Sequence, residues 1–155
     1  MGSTVLTPPL AYLDTNIFIS AFEGPGAVSD HAWWLLDAIE AGRFVGVTSE
    51  LTLAEVLVHP LRHQDEALTE AYAAMLTTSP VFAVMPVDRS ILVSAARLRA
   101  RFGALRLPDA IHLATALAAE ASHFVSRDVR LGTICPIRFV DGGPHSLDQI
   151  LEASL

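Results

Sequence analysis

The 155-residue chain contains no lysine, and all ten of its basic residues are arginine. That gap removes whole classes of chemistry: there can be no P-loop lysine, no Schiff base and no pyridoxal-phosphate linkage. Cysteine is almost as scarce. Cys135 stands alone, so no intrachain disulfide can form, and the chain reads as a cytoplasmic protein of a reducing compartment. Followed by Pro136, that cysteine reads as a small buried hydrophobe rather than a nucleophile. Long apolar runs are missing too. A membrane span needs about 20 consecutive apolar residues, whereas the best run here, Ala110 to Ala119, is shorter and carries His112 and Thr115. No basic segment followed by an apolar one opens the chain, so no signal peptide is expected. Positive charge is also in deficit. A net charge of −7 does not advertise a nucleic-acid binder. Net charge hides distribution, however, and arginine is the better bidentate phosphate ligand.

What is present is apolar and periodic. Hydrophobic residues make up 52% of the chain and the mean hydropathy is +0.43, enough for one well-buried core. Strand-like runs fall at Leu10 to Leu13, Phe44 to Thr48, Val81 to Val87, His123 to Ser126 and Ile137 to Val140. Helical patterns separate most of them. Asn16 to Phe22 is short, and Asp30 to Ala41 is longer, with Gly42 as its stop. Ser49 caps a helix expected to end at about His59, before Pro60. Arg62 to Leu76 follows. Asp88 caps a helix with the stripe Ile91, Ala95, Leu98 and Phe102, closed by Gly103. Pro108 opens a helix reaching about Glu120, and a last short one covers Ser146 to Glu152. Strands alternating with helices predict an α/β/α sandwich around a mostly parallel sheet. Loops are short and no repeat appears, so a single domain over 1–155 is expected.

Four short stretches each set one carboxylate beside a strand end or a helix start: Leu13-Asp14-Thr15-Asn16, Leu53-Ala54-Glu55-Val56, Leu107-Pro108-Asp109-Ala110 and Ser126-Arg127-Asp128. Each acid adjoins apolar sequence, where an ionised group is costly unless paired or metal-bound. Taken singly, each has a bland reading. Asp14 caps a helix, Asp109 sits in a first turn favoured by the helix dipole, Glu55 lies on a surface and Asp128 belongs to a turn. In parallel sheets, however, ligands bind outside the carboxyl ends of the strands. Asp14 follows the first strand and Asp128 the fourth, so both belong at one sheet edge. Gathered together, the acids repel one another and call for a cation. Oxygen-only donors suit Mg²⁺ or Mn²⁺.

The same four pieces, in this order and covering nearly the whole chain, resemble the PIN-domain nucleases. The longer matching stretches are Thr48 to Val56 and Leu107 to Ala116, with Val125-Ser126-Arg127-Asp128. The small isolated domain resembles the VapC-class ribonuclease toxins of toxin–antitoxin modules. That resemblance implies a carboxylate pocket of Asp14, Glu55, Asp109 and Asp128 holding Mg²⁺ or Mn²⁺, with Ser126, Asn16 and Thr15 in support. It implies in-line attack on an RNA phosphodiester with the 3′ oxygen leaving, a cognate antitoxin as partner, and a homodimer. The middle residue of the last motif is often Asn in the family, and here it is Arg127.

Two rival readings compete with this one. Phosphatases of the haloacid-dehalogenase type also place an Asp after the first strand. They need Asp-x-Asp and a lysine, and this chain has Asp14-Thr15-Asn16 and no lysine. A catalytically silent PIN-like module that only binds RNA or protein has no reason to keep all four acids. Beyond the acids, Arg97 and Arg101 share a helix face, with Arg99 and Arg106 nearby in sequence; this group, and Arg127, are candidates to grip RNA phosphates, against the plainer reading of a solvated surface. Trp34 points away from the stripe of its helix, either to a second buried face or to a partner surface. The histidines form no zinc pattern, because Pro60 is expected to break the helix that would align His59 with His63. His112, three residues after Asp109, reads first as a packed or hydrogen-bonded residue, with a supporting role near the acids as the lesser reading.

Overall fold

A computed structural model describes residues 7–152; the ends of the expected 1–155 domain lie outside the described residues. Among the described residues, five strands form one sheet: β1 (Leu10–Leu13), β2 (Val45–Ser49), β3 (Phe82–Met85), β4 (His123–Val125) and β5 (Arg138–Val140). Every neighbouring pair is parallel, in the spatial order β3-β2-β1-β4-β5. The helices are α1 (Thr15–Glu23), α2 (Gly26–Glu40), α3 (Glu50–Arg62), α4 (Glu66–Met75), α5 (Arg89–Arg101), α6 (Leu107–Ala118) and α7 (Ser146–Glu152). A 3₁₀ turn, Val129–Thr133, follows β4 and has no counterpart in the expected pattern.

The sheet separates two apolar layers because alternate strand residues face opposite ways. In β1, Ala11 and Leu13 join one cluster with Ile17, Phe18, Leu35, Ile39 and Val56. Tyr12, between them, joins the other with Ile91, Leu113, Ala114 and Phe124. The expected three-layer sandwich is the observed one. Glycine at 46 lets α2 lie close on β2: a Cβ there would stand 2.6 Å from Ile39 Cδ1 and 2.9 Å from Phe82 Cδ2.

Several boundaries differ from those read in the sequence. Pro60 does not end its helix. It lies in the last turn of α3 with its ring buried, where it removes one backbone donor, and the chain recovers with His63 N–H to His59 O at 3.1 Å and Asp65 N–H to Pro60 O at 2.9 Å. His59 and His63 are therefore aligned after all, their rings 4.3 Å apart. The next helix starts at Glu66 rather than Arg62, because Asp65 Oδ1 accepts the Leu68 N–H at 3.0 Å and sets a cap. Helix α2 starts at Gly26, four residues before Asp30, with Pro25 ahead of it and no side-chain cap to announce it. Phe102, not Gly103, caps α5.

The sheet order places β1 and β4 side by side, with β2 and β3 beyond one and β5 beyond the other. That is the switch point of the topology, where the loops leave in opposite directions and open a crevice. Asp14 leaves β1 there, and its N–H still donates to Val125 O of β4 at 2.9 Å.

Candidate active site

Asp14 is held by its own neighbourhood. It caps α1, its Oδ1 accepting the Thr15 N–H at 2.8 Å. Its Oδ2 accepts the Ser126 hydroxyl at 2.7 Å and, more loosely, Asn16 Nδ2 at 3.4 Å. Only 5% of Asp14 is exposed, so these bonds replace the water it has lost. Ser126 ties the first motif to the last. Its Oγ also accepts Asn16 Nδ2 at 3.0 Å and the Asp128 N–H at 3.1 Å, while Asn16 Oδ1 accepts the Arg127 N–H at 3.0 Å.

Glu55 reaches the same place from α3. Its Oε1 accepts the Thr15 hydroxyl at 2.8 Å and faces His112 Nε2 at 2.7 Å. Burial alone would raise the Glu55 carboxyl, but the bonds from His112 and Thr15 outweigh it and hold the group below its ordinary value. His112 is itself buried in α6, 3.6 Å from Asp14 Oδ1, with Tyr12 Oη 2.6 Å from its Nδ1. Burial, and then the charge of Asp14, keep the Tyr12 phenol far above its usual range, so it remains a donor. With Tyr12 donating into Nδ1, Nε2 carries the hydrogen that Glu55 accepts. A run of hydroxyls completes the floor: Thr15 to Thr52 at 3.2 Å, Thr52 to Thr48 at 2.8 Å, and Thr48 into Leu13 O at 2.8 Å.

Asp109 stands in the first turn of α6, one helical turn before His112. Burial raises its carboxyl above the ordinary value, and the charges of Asp14 and Asp128 push the same way, against Arg106 and His112. Arg106 Nε lies 3.8 Å from Asp109 Oδ2. Asp128 begins the 3₁₀ turn and is clasped by Arg130, Nε at 2.9 Å and Nη2 at 2.7 Å. That fork holds the Asp128 carboxyl below its ordinary value.

The four acids thus come from β1, α3, α6 and the turn after β4, and share one end of the sheet. The charges of Asp14 and Asp128 are felt at Asp109, and Glu55 shares His112 and Thr15 with Asp14. The donor set is all oxygen, the choice of a hard divalent ion. Among the described residues no three His, Cys, Asp or Glu side chains stand close enough to hold an ion as they are.

Sequence reasoning singles out the four acids together with Ser126, Asn16 and Thr15. It gave His112 the lesser role near them, and it did not single out Tyr12, Thr48, Thr52 or Arg130. A buried Tyr on the first strand and a Thr pair four apart at a strand–helix junction were signals that could have found them. Of its candidate arginines, Arg97 and Arg101 are exposed on α5, with Arg101 5.2 Å over the Phe102 ring, and Arg127 is exposed beside the site. Trp34 is 52% exposed, its ring 5.0 Å from that of His31, so it does not face a second core. Among the described residues no helix is long and apolar enough to cross a membrane.

No curated protein matches this chain. A PIN-domain family model matches residues 11–135. Among solved structures, the chain is similar to one in a toxin–antitoxin complex from Klebsiella pneumoniae, at 28% identity and a TM-score of 0.62, over 81% of this chain and 92% of that one. VapBC2 from Rickettsia felis, bound to a DNA fragment from its promoter, gives a TM-score of 0.66 at 16% identity, over 84% of this chain and 96% of that one. VapC20 from Mycobacterium tuberculosis, a toxin that cleaves the sarcin–ricin loop, gives 0.60 at 20% identity, over 74% of this chain and 86% of that one. With its acids at the switch point of this sheet, the chain belongs to the PIN-domain family of nucleases.

Proposed function

We propose that this chain is a metal-dependent endoribonuclease and the toxin of a toxin–antitoxin pair. The observation that carries the proposal is the mutual influence of acids far apart in sequence. Asp109 is raised by burial and then by Asp14 and Asp128, and Glu55 is oriented by the histidine that also faces Asp14. A protein gains no stability from that repulsion, and a divalent cation relieves it. Asp14, Glu55, Asp109 and Asp128 would hold Mg²⁺ or Mn²⁺, Asp128 by exchanging its partner Arg130. Such an ion, when bound, acidifies water and offsets charge on the scissile phosphate. The chain's own part is orientation. Ser126 and the Thr15 N–H fix the two oxygens of Asp14, while Thr15 and His112 fix Oε1 of Glu55. Arg97, Arg101 and Arg127 are exposed and available to RNA phosphates.

The toxin reading is supported by the likeness to a chain of the Klebsiella toxin–antitoxin complex. Trp34 offers an exposed aromatic for an antitoxin or for the second copy in a homodimer. Trp34→Ser lowers antitoxin affinity or self-association in a folded protein; parental values for both remove that assignment. The activity is tested on total RNA with Mg²⁺, Mn²⁺ or chelator, comparing the parent with Asp14→Asn. Metal-dependent cutting by the parent alone is expected. Binding of RNA without cutting under every metal would favour the silent module instead.

A further inference from the structure

Beside the acids lies a cleft of about 340 Å³ that the reading above does not use. Its floor is apolar, made of Phe102, Leu105, Leu131 and Ile134 from the α5–α6 connection and the 3₁₀ turn. Asp109 and Asp128 also line it, so it is continuous with the acidic site. At its rim stand Arg106 and Arg130, both exposed and each beside one of those acids.

The acids do not use up the donors of either guanidinium. A guanidinium has five N–H donors. Arg130, 73% exposed, commits Nε–H and one Nη2–H to Asp128, and its other guanidinium N–H groups have no hydrogen-bond partner among the described residues. Arg106 lies 3.8 Å from Asp109, too far for a hydrogen bond, which leaves its fork free as well. An apolar floor between two guanidinium forks, opening directly onto carboxylates, matches a flat base with a phosphate on either side. An apolar peptide would satisfy the floor and leave the spare guanidinium donors unmatched.

We propose that this cleft is a nucleotide subsite that seats the base adjoining the scissile phosphate of single-stranded RNA, with Arg106 and Arg130 holding the phosphates that flank it. The proposal rests on the ribonuclease reading and adds to it the place where one base is recognised. It makes the α5–α6 connection and the 3₁₀ turn the source of any preference for a base beside the cut.

Gly103 gives a way to fill the cleft without touching the acids. It lines the cleft and is exposed, and a Cβ built on it meets no atom within 4 Å. The experiment titrates the full chain and Gly103→Trp into fluorescent hexaribonucleotides, read by anisotropy, in chelator and in Ca²⁺. One hexamer is intact; the others carry a single abasic ribose moved along the strand. The parent should bind one abasic hexamer about tenfold more weakly than the intact one, and the others nearly as well, as expected for loss of one base contact. Gly103→Trp should bind the intact hexamer at the weaker level and lose the discrimination. Arg106→Gln should flatten the salt dependence of binding by about 0.7 in log–log slope.

Equal affinity of the parent for every abasic hexamer overturns the subsite, as does discrimination that survives in Gly103→Trp. If total RNA is still cut in either case, the ribonuclease reading stands and only the subsite falls. RNA neither bound nor cut overturns both. A Gly103→Trp protein that loses its antitoxin while keeping parental RNA affinity marks the cleft as a protein contact and also overturns the subsite.

Discussion

Oε1 of Glu55 is occupied twice over, by Thr15 and by His112, while Oε2 has no hydrogen-bond partner among the described residues. The histidine that achieves this is aimed in turn by Tyr12, whose ring is stacked on Phe124 at 5.2 Å. Tyr12→Phe keeps the stack and removes the hydroxyl. It strands a buried nitrogen, which costs about 1–3 kcal/mol of stability, and loosens the aim of Glu55. The expected result is a 10- to 100-fold fall in kcat with KM nearly unchanged and the fold retained, measured by steady-state cleavage and thermal melts. Asp109 carries the opposite sign on stability. Its carboxyl is raised in the folded protein, so the folded state holds its proton longer than the unfolded chain does. The stability this gives is full below the ordinary carboxyl pKa and is lost as pH rises through the raised value. In metal-free protein Asp109→Asn should therefore melt higher than the parent at neutral pH, on the order of 2 °C, and the gap should close in acid. A parent that melts higher than Asp109→Asn at neutral pH without metal would contradict this. The four acids were legible because each adjoins apolar sequence at a strand end or a helix start. Tyr12 was not, since a tyrosine in an apolar strand looks like core until a histidine 100 positions later is placed against it.

The elements were legible where side chains announce their own ends. Asp14, Ser49 and Asp88 each cap the helix that was read from them. Helix α2 begins after Pro25 with no side-chain cap, so nothing in the sequence before Asp30 announces its start. Pro60 misled for a different reason. A proline in the last turn gives up a single backbone bond, and its buried ring and the bonds that follow it outweigh that loss. Strand β2 supplies the element-scale prediction. Gly46→Val would drive a side chain into Ile39 and Phe82, where even a Cβ stands under 3 Å away. Overpacking of this kind costs about 1–3 kcal/mol, so the melting temperature should fall by roughly 3–10 °C, while RNA cutting at low temperature persists because α2 lies on the face away from Asp109. An unchanged melting temperature would mean that α2 does not pack on β2 as described.

Across the whole molecule, the order β3-β2-β1-β4-β5 is what turns four local motifs into one site. Alternation of strands and helices was enough to predict a parallel sheet and to put Asp14 and Asp128 at the same edge. It could not place α3 and α6, whose contributions of Glu55 and His112 depend on packing between elements that are distant in sequence. Nor could it pair Asp128 with Arg130, which depends on a 3₁₀ turn with no hydrophobic period of its own. The account stands on the sharing of one divalent ion by acids from β1, α3, α6 and the turn after β4. Calorimetric titration of Mn²⁺ into the parent and into Asp14→Asn, Glu55→Gln, Asp109→Asn and Asp128→Asn tests it most directly. The predicted result is a saturable Mn²⁺ site in the parent that every one of the four substitutions weakens. A parent that binds no Mn²⁺, or a site left intact by all four, would contradict it.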